Sequence, residues 1–477
     1  MTGKPHIPIT GMSTTDGRGA WEQSKETPRD HGATRSVCPI CLRGVDARRV
    51  GQGDTTWLVK DCPEHGRFSA PIWRGAPDFE AWKRPKIPSA PRLSLTRRDK
   101  GCPHDCGLCE EHGQHTCTAL LEVTMRCNLA CPVCFASAGG TDPAGDPDLA
   151  RIGFWYERVM TASGPCNIQL SGGEPTVRDD LPEIVALGRE RGFSFIQLNT
   201  NGLRLAQDAA YAQALRDAGL ASVFLQFDAV DDEMYRVLRG RPLLHRKLLA
   251  VERCLELGLG VVLVPTLAPG VNEQALGPIV EYALSMGSGV RGVHIQPMSR
   301  FGRFPGAPDG ERITLPEIMH LLETQTNGML RAAHFEPPGC EHALCSFHAT
   351  YVRTLDGKLK PLKTGGCCGS KAEPTPAEEG SRRAVARVAR EWVAPKPLDT
   401  SPDNTASRAK GDFDLFLEQA LATFTVSAMA FQDAWTLDLE RLQGCCIHVV
   451  SPDGRLVPFC AWNLTAADGT PLHRGRG

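Results

Sequence analysis

The chain has 477 residues, 41% of them apolar and 23% charged, with a formal net charge of −2. That length suits one large catalytic domain with smaller modules rather than a single small core. The balanced charge excludes a global basic field for nucleic acid or anionic membrane, and no long apolar run predicts a membrane-spanning helix, leaving only peripheral membrane contact open.

The N-terminal stretch "MTGKPHIPITGMSTTDGRGAWEQSKETPRD" lacks the apolar core of a signal peptide, so a cytoplasmic protein with a disordered tail over residues 1–35 is expected. Residues 36–70 form a small cysteine module. Cys38, Cys41 and Cys62, with His65 in "CPEHG", make two hooks suited to a mononuclear rubredoxin-like iron or a zinc ion. His65 either ligates or orients its loop. Residues 71–118 combine a connector rich in Pro and Arg with the loop "GCPHDCGLCEEHGQHTC". Its thiols Cys102, Cys106, Cys109 and Cys117 are a complete set for a 4Fe–4S cubane with no open iron, zinc being the alternative. His112 and His115 are expected to hydrogen-bond sulfur rather than ligate metal.

Residues 119–330 alternate short apolar strands (119–124, 166–171, 193–201, 222–229, 261–267, 290–298) with helical patterns (179–191, 205–218, 243–257, 273–286). Six β-α repeats predict an α/β fold with a parallel sheet and right-handed crossovers, its strands buried on both faces. Polar residues stand at the strand C-terminal ends, where β/α barrels carry their chemistry. Residues 331–369 hold Cys340, Cys345 and the pair Cys367 and Cys368. Residues 370–411, low in bulky apolar residues, read as a linker with one solvated helix near 380–392. Residues 412–477 end in the hairpin "CCIHVVSPDGRLVPFCAW". Symmetric pairing about its "SPDG" turn sets Val450 opposite Arg455 and Cys445 opposite Cys460, with Cys446 on the other face.

Nineteen cysteines, clustered in a large unsecreted chain, mean metal rather than a disulfide framework. Cys166 and Cys254 stand apart as core thiols. The preferred third cubane is Cys340, Cys345, Cys445 and Cys460. Cys367 or Cys368 competes as a ligand, and a Cys445–Cys460 disulfide is the bland alternative.

The strongest motif is "TMRCNLACPVCFASAGG", whose Cys127, Cys131 and Cys134 follow the first strand. Three thiolates can hold three irons of a cubane and leave the fourth open for chemistry. "SGGEP" ends the second strand, where two glycines allow a ligand to approach the backbone closely.

The pair of motifs, with six β-α units behind it, resembles the radical S-adenosylmethionine (SAM) superfamily. The resemblance implies a partial (β/α)6 TIM-like barrel with cysteine-rich metal-binding modules at both ends. It implies a cluster on Cys127, Cys131 and Cys134 whose open iron chelates SAM. One electron to the sulfonium would release a 5′-deoxyadenosyl radical that abstracts hydrogen from an unactivated carbon. Gly172, Gly173 and Glu174 match the SAM amino-group motif. Asn199, Thr200, Gln226 and Asp228 lie where strand ends meet SAM. Together with "CPIC…CPEHG", "LQFDAVDDEMYRVLRGR" and the C-terminal hairpin, the motifs resemble the group of archaeal tetraether lipid synthases, also described as pterin-methylating radical SAM proteins. That resemblance implies three 4Fe–4S clusters, one mononuclear iron or zinc, and an electron donor such as ferredoxin or flavodoxin. The expected reaction is carbon–carbon coupling on a lipid chain. The alternatives are methylation of a 7,8-dihydropterin and a non-catalytic iron–sulfur protein. Phe301, Phe304, Phe335, Phe347, Phe413, Phe416, Phe424 and Phe431 offer apolar material for a lipid, and Asp433 is the acidic candidate for a pterin edge.

Overall fold

The computed structural model describes residues 27–304, 312–354, 358–362, 374–395 and 423–475. Cys367, Cys368, Phe413 and Phe416 therefore lie outside the described residues.

The six expected strands form at Thr118–Thr124, Asn167–Gly172, Ile196–Thr200, Ser222–Gln226, Gly260–Val264 and Val290–Pro297. They pair in that order, all parallel, as the core of a curved sheet, with helices such as Leu149–Ser163, Leu181–Glu190 and Leu244–Glu256 between them. Leu121, Val123, Ile168, Leu170, Ile196, Leu198, Val223, Leu225, Val261 and Leu263 belong to one large buried apolar cluster. The expectation of strands apolar on both faces needs correcting. Alternate residues, among them Asn167, Gln169, Ser171, Gln197, Asn199 and Gln226, line an internal cavity beside Leu120, Phe224 and Val264, so the inner face carries a belt of amides among apolar residues.

The C-terminal module is not a separate body. Its strand Thr423–Met429 runs parallel to Val290–Pro297, and Ile447–Val450 runs parallel to Thr118–Thr124, so it supplies a strand to each edge of the partial barrel. Each added edge is covered in turn by an antiparallel strand, Ser346–Arg353 on one side and Leu456–Pro458 on the other.

Three sequence expectations change. The N-terminal antiparallel sheet comprises Arg29–Val37, Gly44–Gln52, Thr55–Cys62 and Gly66–Arg74, so its first strand starts inside the expected tail. That strand, "RDHGATRSV", is too polar to announce itself by alternation. The helix Ala377–Glu391 is not a solvated piece of linker. Its Ala377, Gly380, Ser381 and Glu391 are buried, and a Cβ on Gly380 would lie 2.5 Å from the carbonyl oxygen of Gly339. Small residues mark close approach here, not disorder. In the C-terminal hairpin Val450 pairs with Leu456, and Val449 with Val457, one residue out of the expected register. The strand then stops at Pro458 and Phe459–Trp462 turns helical, so Cys445 and Cys460 do not face each other across a ladder.

Candidate active site

Cys127, Cys131 and Cys134 lie just past the C-terminal end of strand Thr118–Thr124 and line one end of the cavity. Burial pushes the Cys127 thiol up to about 11, and the charges of Glu174, Cys131 and Cys134 add to the shift. Burial also raises Cys131. Three cysteines lining one end of the cavity fit an iron–sulfur cluster, which would stabilise them as thiolates.

The strand Asn167–Gly172 delivers "GGE" against this loop. Gly172 has φ +118°, and a Cβ there would sit 2.2 Å from the Thr124 carbonyl oxygen. A Cβ on Gly173 would sit 2.1 Å from the carbonyl oxygen of Arg126. The backbones interlock instead: Gly173 N donates to Thr124 O at 2.8 Å and Glu174 N to Arg126 O at 2.8 Å. Glu174 is buried and its carboxylate is fully occupied. It accepts from Thr200 Oγ1 (2.6 Å), Asn201 N (2.6 Å), Thr176 N (3.1 Å) and Thr176 Oγ1 (2.6 Å). It thus ties the ends of two neighbouring strands, and the two glycines line the cavity beside it.

The strand-end polar residues divide. Asn199, Thr200 and Gln226 line the cavity, and Asn199 Oδ1 is buried without a hydrogen-bond partner. Asp228 does not line it. Fully buried, it accepts from Arg239 Nε and Nη2 at 2.7 Å each and from Thr266 N at 3.0 Å. Arg239 is the residue that reaches the cavity, beside Cys131. Lys247, also buried, donates to Asn201 O (2.6 Å) and Gln226 Oε1 (3.1 Å), and burial lowers it to about 8. Sequence reading missed both cations. A charged residue on an amphipathic helix gives no sign that it points inward.

The cavity, about 310 Å³ in volume, runs from the cysteine triad to the opposite end of the barrel. There it meets a second sulfur group. Cys117, one residue before the first barrel strand, has its Sγ 3.0 Å from that of Cys446, and Cys340 completes a set whose sulfurs all lie within 4.8 Å of one another. Hydrogen bonds from the Cys340 and Cys446 thiols hold Cys117 well below its ordinary value. Two expected groupings are corrected by this. Cys117 leaves the Cys102, Cys106 and Cys109 loop, because its N–H donates to Cys446 O as the hairpin strand docks in parallel. Cys340 leaves Cys345, Cys445 and Cys460, because the one-residue register change turns Cys446, not Cys445, toward it. Cys345 and Cys460 still crowd Cys445, and burial with their charges raises its thiol well above the ordinary value. Cys102, Cys106 and Cys109 line a small separate cavity with His112. The rings of His112 and His115 do not meet sulfur: His112 Nε2 contacts Cys445 O at 2.8 Å, and His115 Nε2 contacts Ser89 Oγ at 3.0 Å.

In the N-terminal sheet, Cys38, Cys41, Cys62 and His65 place one ligand atom each within 4.8 Å of the others. His65 Nδ1 is 3.4 Å from Cys62 Sγ and 3.6 Å from Cys38 Sγ. Burial alone would raise the Cys62 thiol, yet hydrogen bonds from His65 and the backbone bring it down to about 7. A poised thiolate in a four-ligand set with one imidazole fits zinc or iron.

Of the expected substrate contacts, Phe301, Phe347 and Phe431 line the cavity, and Phe424 is buried in the core. Phe335 packs at a tilt against Phe347, and Phe304 meets Trp435 edge-on. Asp433 is fully buried and held below the carboxylate range, burial being overcome by Arg312, which donates to it at 2.7 and 3.1 Å. It cannot read a ligand. Glu341 is the acidic residue that lines the far wall instead.

A family model described as the radical SAM superfamily matches residues 121–283, and one described as the HMPTM N-terminal zinc ribbon domain matches residues 31–74. The 7,8-dihydro-6-hydroxymethylpterin dimethyltransferase of Methanocaldococcus jannaschii is 34% identical over 470 residues, covering 90% of this chain and 93% of that protein. A probable GTP 3',8-cyclase of Archaeoglobus fulgidus is 30% identical over 268 residues, covering 53% of this chain and 87% of that one. Among solved structures, Streptococcus suis SuiB bound to precursor peptide SuiA aligns with a TM-score of 0.37 at 14% identity, over 45% of this chain and 46% of that one.

Proposed function

Because the chain belongs to the radical SAM superfamily, we propose that it transfers a methyl group to a 7,8-dihydropterin in a SAM-dependent radical reaction. The chain is a radical SAM enzyme. Cys127, Cys131 and Cys134 would hold a 4Fe–4S cluster, which with SAM supplies the electron transfer and the hydrogen-abstracting group. The chain's own residues do the rest. Gly172 and Gly173 present backbone to the amino-acid end of SAM, and Glu174 holds their strand to its neighbour. Asp228 fixes Arg239 beside Cys131. Asn199 offers an unpaired amide oxygen to SAM or to the substrate.

The observation that carries the substrate class is the belt of amides and an imidazole that interrupts the apolar inner face of the barrel. A lipid chain gains about 0.8 kcal/mol per methylene on burial, and only where the wall is apolar. Here Asn167, Gln169, Gln197, His294 and Gln296 line the path between the two ends. Small-molecule pockets span about 300–1,000 Å³, and this cavity, at about 310 Å³, is at the small end of that range. Coupling on a lipid chain, the reading first drawn from the motifs, has no support from the cavity or from the similar proteins. The further cysteine groups would carry auxiliary iron–sulfur centres fed by a ferredoxin or flavodoxin, and the N-terminal set would carry zinc or iron. Incubating the anaerobically reconstituted, reduced chain with SAM and 7,8-dihydro-6-hydroxymethylpterin tests the reading. A mass gain of one or two methyl groups on the pterin is expected. Deuterium transfer from a deuterated lipid into 5′-deoxyadenosine, with no methylated pterin, would overturn it.

A further inference from the structure

The helix Ala377–Glu391 closes the end of the barrel opposite the cysteine triad. Asn167 Nδ2 donates to Val385 O at 3.5 Å, and Arg291 Nε donates to Glu391 O at 2.8 Å. A Cβ on Gly260 would lie 2.2 Å from Trp392 O. Asn167, Gly260 and Arg291 stand at the N-terminal starts of their strands, so this segment is the cavity's floor. A substrate attacked near the triad must lie between the two.

The floor carries groups that the SAM reading does not use. His348, on the strand Ser346–Arg353, lines the cavity, and its Nδ1 is buried with no hydrogen-bond partner. Burial, helped by the charge of Arg387, lowers the imidazole to about 3, so the ring is neutral. Arg387 projects from the floor helix into the same cavity. Its neighbours Arg383 and Arg390 pair with Glu379 and Glu391, whereas Arg387 has no ion pair among the described residues. Beside them, the rings of Phe224 and Trp392 lie 5.5 Å apart at 31°, and both line the cavity.

We propose that His348 and Arg387 are the specificity-determining pair that reads the edge of the substrate ring at the barrel floor, with Phe224 and Trp392 as its apolar face. The inference rests on the pterin reading and goes beyond it. The chemistry fits a 2-amino-4-oxo-pteridine. Its O4 and N5 are adjacent acceptors, the same pattern as the guanine edge that an arginine fork reads in two hydrogen bonds. A neutral imidazole donates or accepts one more. A saturated chain would leave the Arg387 fork and His348 Nδ1 without partners, so these groups also select against it.

The test uses the full chain, reconstituted anaerobically, as wild type and as His348→Phe, His348→Asn and Arg387→Met. Binding of 7,8-dihydro-6-hydroxymethylpterin is followed by its fluorescence and binding of SAM by equilibrium dialysis. Loss of one hydrogen-bonding partner should weaken pterin binding about tenfold to hundredfold in His348→Phe and in Arg387→Met. His348→Asn, which keeps a polar atom near the Nδ1 position, should recover most of that loss. SAM affinity and iron content should stay at wild-type values. If wild type binds the pterin and both variants bind it equally well, the inference falls and the functional reading stands. If wild type binds no dihydropterin, both fall. If His348→Phe loses SAM and pterin together, His348 serves packing and its assignment is overturned; Arg387→Met, which breaks no ion pair among the described residues, then shows whether the floor reads substrate at all.

Discussion

Gly173→Ala isolates the role of the glycine pair, because Gly173, unlike Gly172, has no positive φ and a side chain there meets only neighbours. The added Cβ would sit 2.1 Å from Arg126 O, 2.8 Å from Arg126 C and 3.0 Å from Met125 C. Ordinary contact begins near 3.4 Å, so the Arg126 carbonyl must retreat by roughly 1 Å in a wall that is otherwise close-packed. That retreat opens the 2.8 Å bond from Glu174 N and strains the one from Gly173 N to Thr124 O. Overpacking costs about 1–3 kcal/mol and each weakened hydrogen bond about 1 kcal/mol, so the local penalty is about 3–5 kcal/mol. The barrel survives that, since its strands are held by the large apolar cluster. The loop that carries Cys127, one residue beyond Arg126, does not keep its place. A displacement of about 1 Å at a reacting centre lowers rates about a hundredfold. The assay is 5′-deoxyadenosine formation by the reconstituted, reduced variant, with iron content and circular dichroism beside it. Native helicity, reduced cluster occupancy and a rate down about a hundredfold are expected. A variant that holds native iron and cleaves SAM at the native rate would refute the interlocked-backbone argument.

Cys131→Ala should abolish SAM cleavage and remove about one cubane's four irons while the barrel stays folded; undiminished 5′-deoxyadenosine would show that the triad does not carry the chemistry. Cys340→Ala and Cys446→Ala should give the same iron and sulfide deficit, since both thiols meet Cys117; a deficit with Cys340→Ala alone would restore its grouping with Cys345, Cys445 and Cys460. Arg239→Gln strands the buried Asp228 carboxylate and should cost about 3–5 kcal/mol, read as a lower midpoint in denaturant. Lys247 titrates near 8 when folded and 10.5 when unfolded, so its burial cost is fully present below pH 8 and is relieved as pH rises toward 10.5. That relief amounts to about 3 kcal/mol at most, and the melting-temperature profile of Lys247→Met should lack the corresponding rise.

What could be read from the sequence was local. Cys127, Cys131 and Cys134 sit within eight residues, and "GGE" ends the next strand, so two short segments define the reactive end of the cavity without any long-range information. The hooks at Cys38, Cys41, Cys62 and His65 are legible for the same reason. The cysteine groups that failed to assemble as expected are those whose members come from distant segments. A turn centred on Pro452 and Asp453 admits more than one register, and a shift of one residue exchanges which of Cys445 and Cys446 faces inward. No property of the hairpin's own residues settles that choice. It is made by docking, because Ile447–Val450 pairs in parallel with Thr118–Thr124 and carries Cys446 onto Cys117.

The substrate question turned on the same distinction. Apolar phenylalanines counted along the chain favour a lipid, yet of the six described only Phe301, Phe347 and Phe431 line the cavity, which composition does not reveal. The alternation that mattered was inside the strands. In "NIQLSG" the residues Ile168 and Leu170 face the helices, whereas Asn167, Gln169 and Ser171 face the cavity. Read as a short apolar run, such a strand looks buried in hydrocarbon on both faces. Read with period 2, it has a polar inner face, and an amide is stable there only with a partner. Gln169 Nε2 donates to Gln197 Oε1 at 2.8 Å, and Gln197 Nε2 donates in turn to Ser222 Oγ at 3.1 Å, so the amides brace one another around the wall. Asn199 and His348 line the cavity, and each has a buried atom, Oδ1 and Nδ1, without a hydrogen-bond partner among the described residues. Amides and an imidazole in such a wall favour a ligand with hydrogen-bonding edges, and a hydrocarbon chain has none to offer.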